Sequence, residues 1–415
     1  MPGLKPGFGR LATLGEVGII LDARLPSLSP ERVTVRAALH RSLAAEVVAP
    51  IDVPHFAKAA MDGYAVVAED TFGAGDNASR ELRVVGSVSP GQIPTGTVER
   101  GTCVEIGTGA PLPDGADAVV MVEYTEPADR DAAVRVRRGV APRENVIERG
   151  SDLSIGRTVL ERGTRLEPRH LGVLGALGLE EVEVLRRPRV VLASTGPELL
   201  EAGETLEPGR IFDINCHTLG AALALDGCEV VDYGIVPDER AALEEMLRKG
   251  LSEGDLVLLS GGSSLGGGDL VGDAIAAVGT MLLHGVAVKP GKPVVLGVAE
   301  APIPEGGQVE KVVIGLPGYP LSALSDYYIF VQPFLRRALG GAPTPAYTEA
   351  ILARKHPSTV GRYEFLPVRL EGELAHPLTK GSSAISAMAG ADGFVEIDEN
   401  VEVVERGERV RVRLF

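Results

Sequence analysis

Several short stretches carry residue types that could hold an anion. Residues 260–269 read SGGSSLGGGD, five glycines in ten residues closed by one carboxylate, Asp269. Glycine at that density costs backbone entropy on folding. It predicts a loop in which the N–H groups around Gly261, Gly262, Ser263, Ser264 and Gly266 cradle a phosphate beside a helix N-terminus. The loop is neither a Walker A sequence nor a dinucleotide fingerprint, since Gly-Lys-Ser/Thr and GxGxxG are both absent. Asp269 either caps the next helix or holds a Mg²⁺ that neutralises phosphates. In KPGKP, residues 289–293, Lys289 and Lys292 flank a Pro-Gly turn, two like charges that suit an anionic ligand; exposed turn lysines are the plain alternative. Glu198 in STGPEL could meet a base, a ribose or a metal, or cap a turn. Asp62 in AMDGYA reads on spacing alone as a turn residue, and Thr108, between two glycines of IGTGAPLP, is equally ambiguous.

These groups need elements to position them. From Arg189 the apolar runs RVVLAST, CEVVDYG and DLVLLS alternate with helical stretches such as DERAALEEMLRKG, and PVVLGV and KVVIGLP follow. Strands and helices in turn predict a parallel sheet covered on both faces, with ligands outside the carboxyl ends of the strands. That rim carries Glu198, the glycine loop, and Pro317 and Gly318 of LPGYP. Upstream, residues 12–24 and 34–46 have helical apolar spacing, and residues 53–145 carry short β-prone runs separated by Gly and Pro. The expected organisation is an interrupted first domain (1–47 plus 146–185), an inserted β domain (48–145), an α/β domain (186–341) and a small C-terminal β domain (342–415).

The 415 residues exceed what one core usually supports, which agrees with several domains. A formal charge of −16 without a Lys/Arg tract argues against nucleic acid and anionic membranes as partners. No apolar run nears the roughly 18–20 residues of a membrane span, and no signal peptide is evident, so a cytoplasmic protein is expected. The three cysteines, Cys103, Cys216 and Cys228, show no CxxC or ligand spacing and read as reduced thiols.

The ordered phrases DVPHFAKAAMDGYAV, IGTGAPLPDGADAVVMVE, RGSDL, STGPEL, SGGSSLGGGD, KPGKP and GLPGYPLSA resemble the MoeA family of molybdenum insertases, to which the gephyrin E domain belongs, over essentially the whole chain. The resemblance implies a homodimer of four-domain subunits whose α/β domain is like that of the molybdopterin adenylyltransferases and whose C-terminal domain is a β-barrel. It implies insertion of molybdate into adenylylated molybdopterin with Mg²⁺ assistance and release of AMP, in a site between subunits. Asp62, Thr108, Glu198, Asp269, Lys289 and Lys292 would then act on the substrates, with Asp269 and Glu198 serving the metal. Gly261, Gly262, Ser263, Ser264, Gly266, Pro317, Gly318, Asp238 and Ser382 would bind the nucleotide and pterin, and Asp152 matches a further family position. An upstream adenylyltransferase stays open as a partner. An adenylyltransferase activity, or a pterin carrier or scaffold without catalysis, are the competing readings. Pro197, Tyr319 and Ala59 stand where the family often has Asp, Asn and Ser, and Leu270 and Val271 follow the loop aspartate where a Thr is common.

Overall fold

Consecutive apolar residues in RVVLAST, LVLLSG and KVVIGL suit a sheet buried on both faces, because successive side chains point to opposite sides of a strand. The computed structural model describes residues 10–128, 132–262, 269–302, 307–341, 345–379, 381 and 384–415; Ser263, Ser264, Gly266 and Ser382 lie outside the described residues. Val190 and Leu192 of the strand Arg189–Thr195, with Leu256, Leu258, Val312 and Ile314 of its neighbours, enter one core. The helices Asn215–Leu225 and Gln332–Ala338 close that face through Leu219, Leu223, Phe334 and Leu335. The intervening Val191, Ala193, Val257, Leu259 and Val313 enter a second core, closed by the helices Arg240–Glu253 and Leu270–Val278. Each fully buried aliphatic side chain contributes roughly 1.5–3 kcal/mol.

The sheet is mixed rather than parallel throughout. Its strands run in the order Glu229–Val236, Arg189–Thr195, Leu256–Gly261, Gln308–Leu316, Val295–Pro302 and Thr280–His284. The first four are parallel, and the last two links are antiparallel. Residues 295–302 and 308–316 are joined by five residues, too few for the crossover of a dozen or more that a parallel pair needs.

The helix Leu14–Asp22 starts on a capping box in which Thr13 and Glu16 bond reciprocally. Its Val17 and Leu21 enter the first core of the α/β unit. Helical spacing at 34–46 does not become a helix: a short 3-10 turn, Val35–Ala38, ends before His40, which takes φ 63°, and Ser42 and Leu43 then bridge to neighbouring segments. Pairing of Pro30–Thr34 with Glu181–Leu185 and of Val47–Val48 with Thr158–Leu160 unites the segments on either side of the insert around Leu43, Leu166 and Leu174.

Within the insert, a six-stranded sheet places Gly63–Val66 between Thr102–Ile106 and Ala118–Met121. A Cβ at Gly63 would stand 1.9 Å from the Val120 carbonyl oxygen, so the glycine of AMDGYA is fixed by strand packing. At the C-terminal end, Tyr363–Glu371 pairs with both Leu374–Pro377 and Gly393–Ile397, and Arg409–Leu414 with Tyr347–Leu352 completes a closed five-stranded barrel.

The barrel meets the α/β unit through Arg413, which donates to Tyr328 O and Gln332 Oε1, through Leu321 packed on Phe365 and Phe394, and through one short strand pairing. Val288–Lys289 pairs in parallel with Tyr363–Glu364. There the buried Glu364 accepts from His356 Nε2 at 2.8 Å, Ser358 Oγ at 2.8 Å and Lys289 Nζ at 3.1 Å. Burial works against ionisation of Glu364, but the bonds from His356, Ser358 and Lys289 outweigh it and hold the carboxyl below its ordinary value of 4.5. Nearby, the helix Pro320–Asp326 buries Asp326 completely, with neither carboxyl oxygen partnered among the described residues. A Cβ on Gly291 would meet that carboxyl at 2.1 Å, so it lies directly against the KPGKP turn. Burial raises the Asp326 carboxyl well above 3.8.

Two stability predictions follow opposite signs of linkage. A depressed carboxylate stabilises above its unfolded pKa and loses that contribution as pH falls, so Glu364→Gln should cost about 2 kcal/mol at pH 7 in urea unfolding, below the 3–5 kcal/mol of a fully buried pair because Lys289 is partly exposed. The difference should shrink below pH 4.5. For the raised Asp326, the folded state keeps a proton that the unfolded chain releases above 3.8, so stability declines as pH rises from there. Asp326→Asn should therefore match the parent near pH 4 and exceed it by about 1–3 kcal/mol at pH 8, read from Tm across pH.

Candidate functional site

In the central strands Arg189–Thr195 and Leu256–Gly261 the buried polar side chains appear at the carboxyl ends. Ser194 and Thr195 close one strand and lie in register with Ser260 and Gly261 of the next. Above them opens a cavity of about 780 Å³, walled by Glu198, Leu199, the segment 211–215, Gly261, Gly262, Lys292, Pro293 and the segment 317–320. Its size suits a drug-sized or nucleotide-sized molecule.

Gly261 and Gly262 owe their identity to the protein itself. Gly261 has φ 97°, and a Cβ there would stand 2.1 Å from the Thr195 carbonyl oxygen. Gly262 has φ 65°, and a Cβ would fall within 3 Å of both Val271 and Thr195 side chains. These two glycines let the loop leave the sheet between strand and helix, so the reading that bare backbone serves a ligand falls on residues 263–268, outside the described residues. Asp238 sits at the same exit, its Oδ1 accepting from Thr195 Oγ1 at 3.2 Å.

Asp269 takes the capping role: it is the N-cap of Leu270–Val278, its Oδ1 accepting from Gly272 N at 3.0 Å, while Oδ2 lies 3.2 Å from His284 Nδ1. Glu198 is exposed at the cavity edge. Among the described residues no three His, Cys, Asp or Glu side chains converge on a metal position. Of the two carboxylates expected to serve Mg²⁺, both hard oxygen donors of the kind that ion takes, Glu198 lines the cavity, whereas Asp269 lies outside its lining and is engaged by Gly272 N and His284. The two lysines separate: Lys292 lines the cavity, whereas Lys289 is ion-paired with Glu364. Pro317 and Gly318 form part of the wall, and so does Tyr319, 62% exposed.

Asp62 and Thr108 meet each other but lie outside this cavity's lining. Antiparallel pairing of Gly63 with Ile106 brings Asp62 Oδ1 to 2.7 Å from Thr108 N and 2.8 Å from Thr108 Oγ1. The Thr108 backbone N–H first, then its hydroxyl, hold the exposed Asp62 carboxyl below its ordinary value. Asp152 is likewise exposed. The cysteines are free thiols, pushed by burial to about 12, which removes them as nucleophiles at neutral pH.

Sequence reasoning passed over the cavity floor. Asn215, inside the helical stretch INCHTLGAALALDG, and Asp213 just before it carry no functional expectation from the sequence, yet both are buried. Asp213 Oδ1 accepts from Asn215 N at 2.9 Å and Cys216 N at 3.2 Å. Asn215 Nδ2 donates to Ser260 Oγ at 2.6 Å and to Gly318 O at 2.9 Å. An aspartate two residues before an asparagine at a helix start was the available signal, and it is shared by ordinary caps.

Comparison with known proteins covers nearly all of this architecture. Residues 13–178 match the MoeA N-terminal region (domain I and II), residues 192–337 a "Probable molybdopterin binding domain", and residues 349–415 the MoeA C-terminal region (domain IV). The chain is 33% identical over 393 residues to the molybdopterin molybdenumtransferase of Haemophilus influenzae, covering 93% of this chain and 94% of that one. It is 35% identical over 383 residues to molybdopterin molybdenumtransferase 2 of Mycobacterium tuberculosis, covering 89% and 91%. The crystal structure of a molybdopterin biosynthesis MoeA protein from Pyrococcus horikoshii is similar at 38% identity with a TM-score of 0.84, covering 98% of this chain and 99% of that one.

Proposed function

The chain belongs to the MoeA family, and from that premise we propose that it is a molybdenum-inserting transferase that takes adenylylated molybdopterin and molybdate and releases AMP. The observation that carries this reading is the cavity over the strand ends, which joins the cation of Lys292 to the base of the glycine loop in a space of substrate size. The competing readings, adenylyl transfer and a non-catalytic carrier, gain no observation of their own.

Lys292 supplies positive charge to an anionic substrate inside a protein of net charge −16, where long-range attraction is absent. Lys289, anchored by Glu364, contributes a second cation at the same turn. The Leu270–Val278 helix places its N-terminus, capped by Asp269, beside the loop that would receive the phosphates. When bound, Mg²⁺ supplies charge neutralisation to the phosphoanhydride, and Asp269 and Glu198 are the residues that would hold it. Two Mo–S bonds release two thiol protons, which leave with one molybdate oxide as water, while a second molybdate oxygen goes to the phosphoanhydride as it is cleaved to AMP. No side-chain nucleophile is required, in keeping with two buried thiols and one half-buried thiol, all raised to about 12.

Asp62 and Thr108, paired and exposed away from their own cavity, act in this proposal on the cavity of a second subunit across a two-fold interface. No helix of the described residues is long and apolar enough to cross a membrane. The proposed setting is the cytoplasm, with an upstream adenylyltransferase delivering the substrate.

The test is molybdate-dependent AMP release from adenylylated molybdopterin by the purified protein. Stoichiometric pterin binding without AMP release would overturn the reading in favour of a carrier, and product formation from ATP and molybdopterin in favour of an adenylyltransferase. Asp62→Asn should keep its Tm and lose about 10²-fold in AMP release. Mixing Asp62→Asn with Lys292→Ala subunits should restore roughly a quarter of wild-type turnover, because half of the dimers then hold one intact site. A mixture as inactive as its components would refute the shared site.

A further inference from the structure

Three buried polar atoms on the cavity floor have no hydrogen-bond partner among the described residues: Asp213 Oδ2, Asn215 Oδ1 and Ser194 Oγ. Their residues are 5%, 5% and 1% exposed. They form one group. Ser194 lies beside Ser260 in the parallel register, Asn215 bonds to Ser260, and Asp213 bonds to the Asn215 backbone. Buried polar atoms are nearly always partnered, and leaving one unmatched costs about 1–3 kcal/mol. Three in one cavity therefore define the pattern that a ligand must complement.

That pattern can be read atom by atom. Both hydrogens of Asn215 Nδ2 are engaged, by Ser260 Oγ and Gly318 O, so the amide offers only its oxygen. Asp213 Oδ1 is engaged by two backbone N–H groups, which leaves Oδ2 as a further acceptor. The hydroxyl of Ser194 suits either role. Two acceptors on residues linked by one hydrogen bond at the start of a helix call for donors on the ligand. The walls above are apolar, with Leu199, Ile211, Phe212, Ile214 and Pro320 among them, and favour a flat ring over a sugar.

We infer that Asp213, Asn215 and Ser194 form the subsite for the amino-pyrimidinone edge of a pterin, whose ring N–H and exocyclic amino group present adjacent donors to the two acceptor oxygens. The inference rests on the proposed function for the pterin's presence and goes beyond it in assigning the heterocycle to this floor. An adenine edge alternates acceptor and donor and would leave one oxygen facing a lone pair. The AMP half of the substrate consequently lies elsewhere in the cavity, towards the glycine loop.

The probe is 6-hydroxymethylpterin, titrated by its fluorescence into the full-length protein, with AMP titrated in parallel by calorimetry. Wild type should bind the pterin, and Asp213→Asn should weaken it at least tenfold while AMP affinity changes less than twofold. Asparagine at 213 keeps Oδ1 for the helix start but turns the second acceptor into a donor, so Tm should change little. Ser194→Ala, which removes a group bonded to nothing described, should weaken the pterin selectively as a second check that does not depend on the helix cap. Loss of AMP binding with pterin binding intact would overturn the inference and assign the floor to the ribose diol. Equal loss of both ligands in Asp213→Asn and Ser194→Ala would make these residues structural, and no pterin binding by wild type would refute the subsite outright. The function stands or falls separately on wild-type AMP release. Normal molybdate-dependent release together with an unaltered pterin KM in Asp213→Asn would sink the subsite alone.

Discussion

Burial of both faces of the central sheet is the constraint on which the remainder of this protein depends. Val190 and Leu192 face one layer of helices while Val191 and Ala193 face the other, so no position along the strand can carry a polar side chain without desolvation. In the two strands Arg189–Thr195 and Leu256–Gly261 the buried polar residues, Ser194, Thr195 and Ser260, stand at the carboxyl ends, and that is where the cavity forms. The same constraint explains why Gly261 and Gly262 are glycines. The chain must leave a closely packed strand and reach the helix at Leu270 without driving a Cβ into Thr195 or Val271. Chemistry at the rim is a by-product of how thoroughly the interior is filled.

A second requirement is that the cations of the KPGKP turn be held in place. Glu364 reaches from the barrel to Lys289, and its other bonds, from His356 and Ser358, keep it from turning away. Asp326, its carboxyl raised well above 3.8 by burial, fills the space under Gly291. Burial raises the carboxyl beneath the turn, while donors within reach lower the one behind it.

Much of the architecture was legible in the sequence because it depends on periodicity and local chemistry. Apolar runs alternating with amphipathic stretches identify a covered sheet, and Gly-rich or Pro-Gly segments directly after them identify its rim. What the pattern could not convey was pairing between distant segments. Nothing in PVVLGV or KVVIGLP distinguishes an antiparallel link from a parallel one except the length of chain between them. Helical spacing at 34–46 was overruled by bridges from residues 43 and 42 to residues 184 and 165, more than a hundred positions away. Lys292 and Glu198, expected on the strand-end rim, do line the cavity, whereas Asp238, matched only through the family resemblance, sits beside Thr195 outside that lining. The site was obscure at Asp213 and Asn215, because capping a helix and facing a cavity use the same residue types. Lys289 illustrates the converse, since its partner Glu364 lies in another unit and 75 residues along.

The strand Val288–Lys289 has a consequence for how the molecule is made. Of the long strand Tyr363–Glu371, only Val368–Glu371 is paired with Leu374–Pro377, and the exposed start of that same edge is taken by Val288–Lys289. A barrel built alone would thus display an unpaired edge, the kind of surface that recruits other chains. During synthesis the α/β unit leaves the ribosome first and can present its two-residue strand as a template when the barrel segment emerges. The order of these two units along the chain thereby gives the barrel's open edge a partner that is already made.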